Sequence, residues 1–168
     1  MAASGKSGEG YGVRLAKEDF KFSAAHFTLF GDAPAERLHG HNYRLELELE
    51  GERLDPLGLL LDIAGVKRRV RESCRRLDER TLIPERAESL EIERLDGQIE
   101  VRFEGRAYRL PEEDVVLLPL ANVSMELLAR MLWDEISPLL AGSRVERMTL
   151  TLEETEGQSA SYAAPIPG

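Results

Sequence analysis

From His39 to Glu50 the chain alternates without interruption. His39, His41, Tyr43, Leu45, Leu47 and Leu49 fall on one side of an extended strand, and Asn42, Arg44, Glu46, Glu48 and Glu50 on the other. A strand with this period of two lies half-buried, apolar side inward. Residues 20–26 repeat the pattern, with Phe20, Phe22, Ala24 and His26 on one side. In both stretches the histidines continue the apolar face toward one end of the strand, so they point at a half-buried site. The chain has three histidines, and all of them are in these two strands. Buried imidazoles need partners, and three that converge are most simply satisfied by a metal ion. Three neutral nitrogen donors with a fourth position open are the arrangement of a catalytic zinc. A chance cluster of core or surface histidines is the competing reading, and the shared parity of the two strands argues against it.

Composition narrows the class. A chain of 168 residues with 42% hydrophobic side chains is expected to form one domain with its own core. No apolar stretch reaches membrane-spanning length, and the first residues lack the apolar segment of a signal peptide. The single cysteine excludes an internal disulfide and fits a reducing, cytoplasmic compartment. A net charge of −9 argues against a nucleic-acid partner. An anionic small molecule remains compatible, because a basic pocket can form on an acidic protein. Met1 to Gly12 is rich in glycine and serine and reads as a disordered lead-in, which leaves 13–168 as the domain.

The predicted order of elements is a strand at about 12–27, a strand at about 41–51, a helix at about 62–77, an inserted hairpin at about 89–110, a helix at about 124–140, and strands at about 144–154 and 159–164. Asp62 is placed to cap the first helix, whose core stripe is Ile63, Val66, Val70, Cys74 and Leu77. On that stripe Cys74 reads as a packing residue rather than a nucleophile. Lys67, Arg68, Arg71 and Arg75 around it read as a solvated face. The insert alternates about Asp96-Gly97 and Glu104-Gly105, as one or two hairpins would. The second helix starts after Ser124, with Glu126 in its first turn and Leu128, Met131, Leu132, Ile136 and Leu139 as its stripe. In the final strands Met148, Leu150, Leu152 and Glu154 share a face. Glu154 is either where the strand leaves the core or a bidentate acceptor for an amidine-like edge. The pattern leaves both open.

Phe22-Ser23-Ala24-Ala25-His26, Leu38-His39-Gly40-His41-Asn42-Tyr43, Leu77-Asp78 and Glu154-Thr155 follow in the order and rough spacing of a known family. From about residue 12 to about 164, the insert apart, the chain resembles the 6-pyruvoyl-tetrahydropterin synthases, a family that includes the 6-carboxytetrahydropterin synthases of queuosine biosynthesis. The resemblance implies an α+β tunnelling fold, a four-stranded antiparallel sheet with two helices on one face, here with an inserted β-hairpin. It implies barrel-shaped assemblies, commonly a dimer of trimers and so a homohexamer, with active sites at subunit interfaces. Carried over by position, His26, His39 and His41 would bind Zn2+, and Glu154 would anchor the pterin ring. Ser124 stands near the family's Thr-Thr-Glu run, from which Met125 departs.

Two departures bear on the reaction. The pyruvoyl- and carboxy-forming enzymes carry a catalytic cysteine shortly before the His-Gly-His run, whereas residues 32–38 here contain none. Glu36 stands there instead, and resembles the glutamate-bearing members that cleave 7,8-dihydroneopterin triphosphate to 6-hydroxymethyl-7,8-dihydropterin for folate synthesis. Without that resemblance Glu36 is an exposed loop acid. The second departure is Asp78-Glu79, where the family usually has Asp-His. Asp78 is kept as a catalytic residue, but Glu79 cannot act as a neutral imidazole. The expectation is a zinc-dependent pterin lyase acting on the triphosphate, with the hydroxymethyl product favoured. A 6-carboxytetrahydropterin synthase-type enzyme and a non-catalytic zinc- and pterin-binding homologue are the alternatives.

Overall fold

The alternating run becomes the spine of the molecule. In the computed structural model, which describes residues 9–31 and 34–167, it forms the longest strand, β3 (His39–Gly51). The predicted strand at 12–27 is two strands, β1 (Tyr11–Leu15) and β2 (Lys21–His26), both antiparallel to the same edge of β3. A turn closed by the Phe20 N–H on the Lys17 carbonyl (3.0 Å) separates them. It also shifts the parity, so that Leu15 in β1 and Phe22, Ala24 and His26 in β2 all face the core. β1 begins at Tyr11, so the expected lead-in does not extend through residue 12; its first eight residues lie outside the described ones.

The other edge of β3 carries β9 (Arg147–Thr155), and β9 pairs with β10 (Gln158–Pro165). The four expected antiparallel strands are therefore present, in the order β10-β9-β3-β2. The sheet nevertheless has seven strands. Besides β1, it gains β4 (Arg80–Pro84) and β8 (Val115–Leu118), parallel to β2 and to each other. These short apolar runs are paired on parallel neighbours and carry no period of two, which is why the pattern missed them.

Two helices cover one face. α1 (Ala64–Leu77) buries Val66, Val70, Cys74 and Leu77, and the Asp62 carboxylate accepts the Ala64 N–H at 2.9 Å. α2 (Met125–Ile136) starts under the Ser124 hydroxyl, which accepts the Leu127 N–H. It ends earlier than predicted because Pro138 has no N–H for the ladder. Residues Ser137–Leu140 tighten into a 3-10 turn, whose larger angular step buries Leu140 and leaves Leu139 exposed.

The insert is a three-stranded sheet of its own, β5 (Glu91–Leu95), β6 (Gln98–Phe103) and β7 (Arg106–Pro111), lying on the crossover between β4 and β8. Its Ile99, Val101 and Phe103 close a second apolar cluster with Phe27, Ala35 and Ile83. The main core, between the sheet and the helices, is separate.

Gly51 ends β3 under the chain that leads into β9. A Cβ there would run into the Arg144 carbonyl oxygen and lie 2.8 Å from Leu60 Cδ1. The Glu146 N–H holds that segment on the Glu50 carbonyl (2.8 Å), so the backbone cannot retreat. Gly51→Ala should cost about 1–3 kcal/mol by overpacking, a fall in Tm of about 3–9 °C for a chain of this length. Scanning calorimetry of the two proteins measures it, and equal melting curves would mean that the Arg144 segment yields freely.

Candidate active site

The β2–β3 register sets His26 opposite His39 and Ala24 opposite His41. The three imidazoles meet at the end of the core face, and their ligating atoms all lie within 4.8 Å of one another. Two of the rings are oriented by carbonyls. Nδ1 of His26 lies 2.9 Å from the Val123 carbonyl oxygen, and Nδ1 of His39 lies 2.7 Å from that of Arg37. A carbonyl can only accept, so each Nδ1 carries the proton and each Nε2 presents a lone pair.

His26 is buried, and that burial pushes its pKa below the usual histidine range, against the opposing pull of the Val123 carbonyl and Glu154. Among the described residues its Nε2 has no hydrogen-bond partner. A Glu154 carboxylate oxygen nevertheless stands 3.0 Å from it, and 3.3 Å from His41 Nε2. A bare nitrogen lone pair against a carboxylate oxygen is repulsive unless a cation joins them. The donor set thus fits a metal ion on the structure's own terms: three imidazoles, one buried and held neutral, with a carboxylate beside them.

Glu154 is reached along β9 as the pattern of that strand implied. It is buried, its Oε1 accepts the Tyr43 hydroxyl at 3.1 Å, and its Oε2 accepts the Gln158 side-chain N–H at 3.3 Å. Burial and the adjoining carboxylate raise the Tyr43 pKa, which keeps the phenol a donor.

Glu36 is also brought to the cluster. Its Oε2 lies 4.0 Å from His39 Nε2 and accepts the Thr28 N–H at 3.1 Å, while its own N–H donates to the Thr28 carbonyl at 3.0 Å. Burial pulls this carboxyl upward, but the Thr28 hydrogen bonds and the neighbouring imidazoles outweigh it and hold Glu36 below the ordinary range. Residues 32 and 33, which precede it in the sequence, lie outside the described residues.

Asp78 is not brought to the histidines. Its Oδ1 accepts the Ser23 N–H at 2.7 Å, and it lines a cavity of about 720 Å3 with Lys21, Asn42, Arg44, Arg71 and Arg75, but no histidine. Arg71 and Arg75 are therefore part of a cavity wall rather than only a solvated face. Glu79, left-handed at φ 57°, lines this cavity too and also borders a second one with His41. Cys74 is buried on α1, its thiol pushed up to about 12 by burial and by Asp78 and Asp19, which agrees with a packing role.

Sequence reasoning missed four contributors. The Val123 carbonyl acts through the backbone and leaves no side-chain signal. Asn122 accepts the Leu29 and Val123 N–H groups and donates to the Leu29 carbonyl, clipping that segment beside β2. Tyr43 and Gln158 hold Glu154. Only Tyr43, on the histidine face of β3, carried a sign in the alternation.

The family model of 6-pyruvoyl tetrahydropterin synthase matches residues 14–165. The chain belongs to this family. A Methanocaldococcus jannaschii protein, provisionally named a 6-carboxy-5,6,7,8-tetrahydropterin synthase, is 32% identical over 145 residues, covering 84% of this chain and 88% of that one. Among solved structures, the Plasmodium falciparum 6-pyruvoyl tetrahydropterin synthase superimposes with a TM-score of 0.86 at 25% identity, over 94% of this chain and 99% of that one. A Plasmodium vivax 6-pyruvoyltetrahydropterin synthase, a variant in which a catalytic glutamate is replaced by alanine, does so at 0.84 and 28%, with the same coverage of both chains. The fold is the α+β tunnelling fold of these neighbours, and the family is one of pterin biosynthesis. No helix among the described residues is long and apolar enough to cross a membrane.

The metal reading gives a direct test. A divalent ion at about a hundred times its dissociation constant should stabilise the chain by about 2.7 kcal/mol, a rise in Tm of about 5–10 °C. Thermal melts with zinc or with chelator should show this for the parent and not for His26→Ala. An equal rise in the variant would place the ion elsewhere.

Proposed function

We propose that the chain is a zinc-dependent lyase that cleaves the side chain of 7,8-dihydroneopterin triphosphate to 6-hydroxymethyl-7,8-dihydropterin. One observation carries the reading. Besides Glu154, the group that stands beside the histidines is the loop carboxylate of Glu36, 4.0 Å from His39 Nε2, in a chain whose one thiol is buried on α1. The base available here is therefore a carboxylate. The P. vivax relative, in which a glutamate is the catalytic residue, supports the same choice.

His26, His39 and His41 would hold zinc, a three-imidazole set that suits that ion. Zinc when bound supplies a Lewis acid for the side-chain oxygens. Glu36 takes the proton of the hydroxyl on the second side-chain carbon. That oxygen becomes an aldehyde carbonyl as the bond between the first and second carbons breaks. The electron pair passes into the conjugated ring, and a proton returns to the first carbon. The products are the hydroxymethyl pterin and a triphosphorylated aldehyde. Glu154, buried and held by Tyr43 and Gln158, would accept the paired N–H groups of the pterin edge.

A second reading, the 6-carboxy product, is favoured by the M. jannaschii relative's name. A third, a non-catalytic pterin-binding homologue, is favoured by Glu79 in place of the usual histidine. Product identification by mass after incubation with the triphosphate separates all three.

Within one chain Asp78 faces away from the histidines, so a catalytic Asp78 would come from a neighbouring subunit. β10 and β8 are the outer strands in the order of the sheet, and edge strands offer backbone groups for pairing with further copies. This fits assembly from several copies, of which the homohexamer is the form proposed.

Glu36→Gln should keep zinc and pterin affinity and lose about 10²–10⁴ in kcat, the range for a positioned proton-transfer group. A fully active variant would move the chemistry to Asp78 or Glu79, and Asp78→Asn and Glu79→Gln assayed in parallel would show which.

Glu154→Gln turns an acceptor into a donor against the pterin's own N–H groups. Pterin affinity by calorimetric titration should fall by at least about tenfold, from a mismatch of about 1–3 kcal/mol, with zinc content unchanged. Unaltered affinity would leave Glu154 as a strand end beside the metal.

A further inference from the structure

We propose that the β6–β7 turn of the insert is a clamp on the Glu36 loop, with Glu104 and Arg106 as positioning residues for that carboxylate. This rests on the reading of Glu36 as the proton-transfer group.

The turn is Phe103-Glu104-Gly105-Arg106, with Glu104 at φ 47° and Gly105 at φ 73°. Two successive left-handed residues make the tight hairpin whose twist suits the flanking strands. A non-glycine residue rarely accepts the first of these positions, so the conformation is held at a cost by its surroundings. Those surroundings are the loop before β3. Both Glu104 carboxylate oxygens lie 3.1 Å from the Ala35 N–H. The Arg106 guanidinium donates to the carbonyls of Ala35 (3.2 Å) and Glu36 (2.9 Å). Two consecutive residues of the loop are thus gripped at an N–H and two carbonyls by two side chains of opposite charge, which themselves pair at 3.9 Å.

The clamp is seated on the apolar floor of the insert. Arg106 lies over the Phe103 ring at 5.7 Å, and Phe103 stacks on Phe27 at 4.4 Å. Phe27 directly follows the ligand-position His26. The same contacts therefore reference the Glu36 backbone to the strand that carries His26. Among the described residues, the hydrogen bonds that the main domain adds are the two to Thr28 described above, one of them to the Glu36 carboxylate itself. Thr28 aims the side chain, and the insert fixes the peptide units from which it projects. A misplacement of about 1 Å in a reacting group can cost on the order of a hundredfold in rate, so such a support would be read in kcat.

The test uses the full-length, zinc-loaded protein. Arg106→Met keeps the stem over Phe103 and removes the donors, Arg106→Lys restores part of them, and Glu104→Ala removes the acceptor. Arg106→Met should lower kcat by about 10–100-fold with KM within about twofold, and Arg106→Lys should recover part of the loss. Introduced into Glu36→Gln, Arg106→Met should bring no further loss, because residues acting through one group are not additive. Hydrogen exchange at the Ala35 amide should accelerate at least about tenfold in Glu104→Ala and Arg106→Met, whatever the activity. Unchanged exchange, or the same fall in kcat with and without Glu36, overturns the clamp. Full activity of Glu36→Gln alone overturns the proton-transfer reading instead, while the exchange data still decide whether the clamp exists. Should Arg106→Met fail to fold, Arg106→Lys and Glu104→Ala carry the exchange test.

Discussion

Everything at the centre depends on the register between β2 and β3. That pairing sets His26 across from His39 and stacks Tyr43 on Phe22 at 4.8 Å. A slip of one residue would turn a strand's whole apolar set to the other face. On β3 that set is Tyr43, Leu45, Leu47 and Leu49, all buried. Burial of a large apolar side chain contributes about 1.5–3 kcal/mol, so four of them oppose a slip far more strongly than contacts among the histidines could. The imidazoles converge because the leucines are buried. The geometry of the histidine cluster is a by-product of core packing at one end of a strand, and needs no separate scaffold.

That placement also sets the chemistry of the donors. At the rim of the core His26 is desolvated and kept neutral, and its one proton is committed to the Val123 carbonyl. The same segment carries Asn122, whose hydrogen bonds to Leu29 tie it to the chain just beyond β2. His39, nearer the surface, takes its orientation from the Arg37 carbonyl, two residues away. Burial pushes the pKa of both Cys74 and Glu36 upward, with different outcomes. It removes Cys74 from use by raising its pKa, while hydrogen bonds from Thr28 keep Glu36 ionised despite partial burial. A carboxylate that stays charged can accept a proton, which is what the proposed role of Glu36 requires of it.

The legible parts of the sequence were those with a period. The alternation in β2, β3 and β9 exposed the antiparallel core of the sheet, the histidine cluster and Glu154, and the helical spacing in α1 and α2 exposed the layer that covers it. β4 and β8 stayed hidden because Thr81-Leu82-Ile83 and Val115-Val116-Leu117 are short apolar runs with no polar face to alternate against. The end of α2 was misjudged because the tighter geometry after Pro138 changed which leucine is buried. At the site, side chains on regular strands were readable, whereas Val123 contributes only a carbonyl, and Glu104 and Arg106 act from a turn 69 to 71 residues away from Ala35. Long-range contacts from a turn leave no local trace. Asp78 was readable as a residue but not as a neighbour: nothing in the run Leu77-Asp78-Glu79 says which face of the sheet it meets.

The insert follows from the same topology. Parallel neighbours such as β4 and β8 cannot be joined by a tight turn and require a crossover of a dozen or more residues, usually a helix. Here the crossover is a three-stranded sheet, and that choice has consequences at the centre. A helix would present one apolar stripe to the parent sheet. A small sheet presents an apolar face, here Ile99, Val101 and Phe103, together with hairpin turns that project past its edge. The face covers Phe27 and Ile83, which the main core does not reach, and so completes the packing behind His26. The projecting turn arrives at Ala35 and Glu36. A connection demanded by strand polarity is thereby placed where it can set the position of the carboxylate of Glu36, which the loop brings to the histidines.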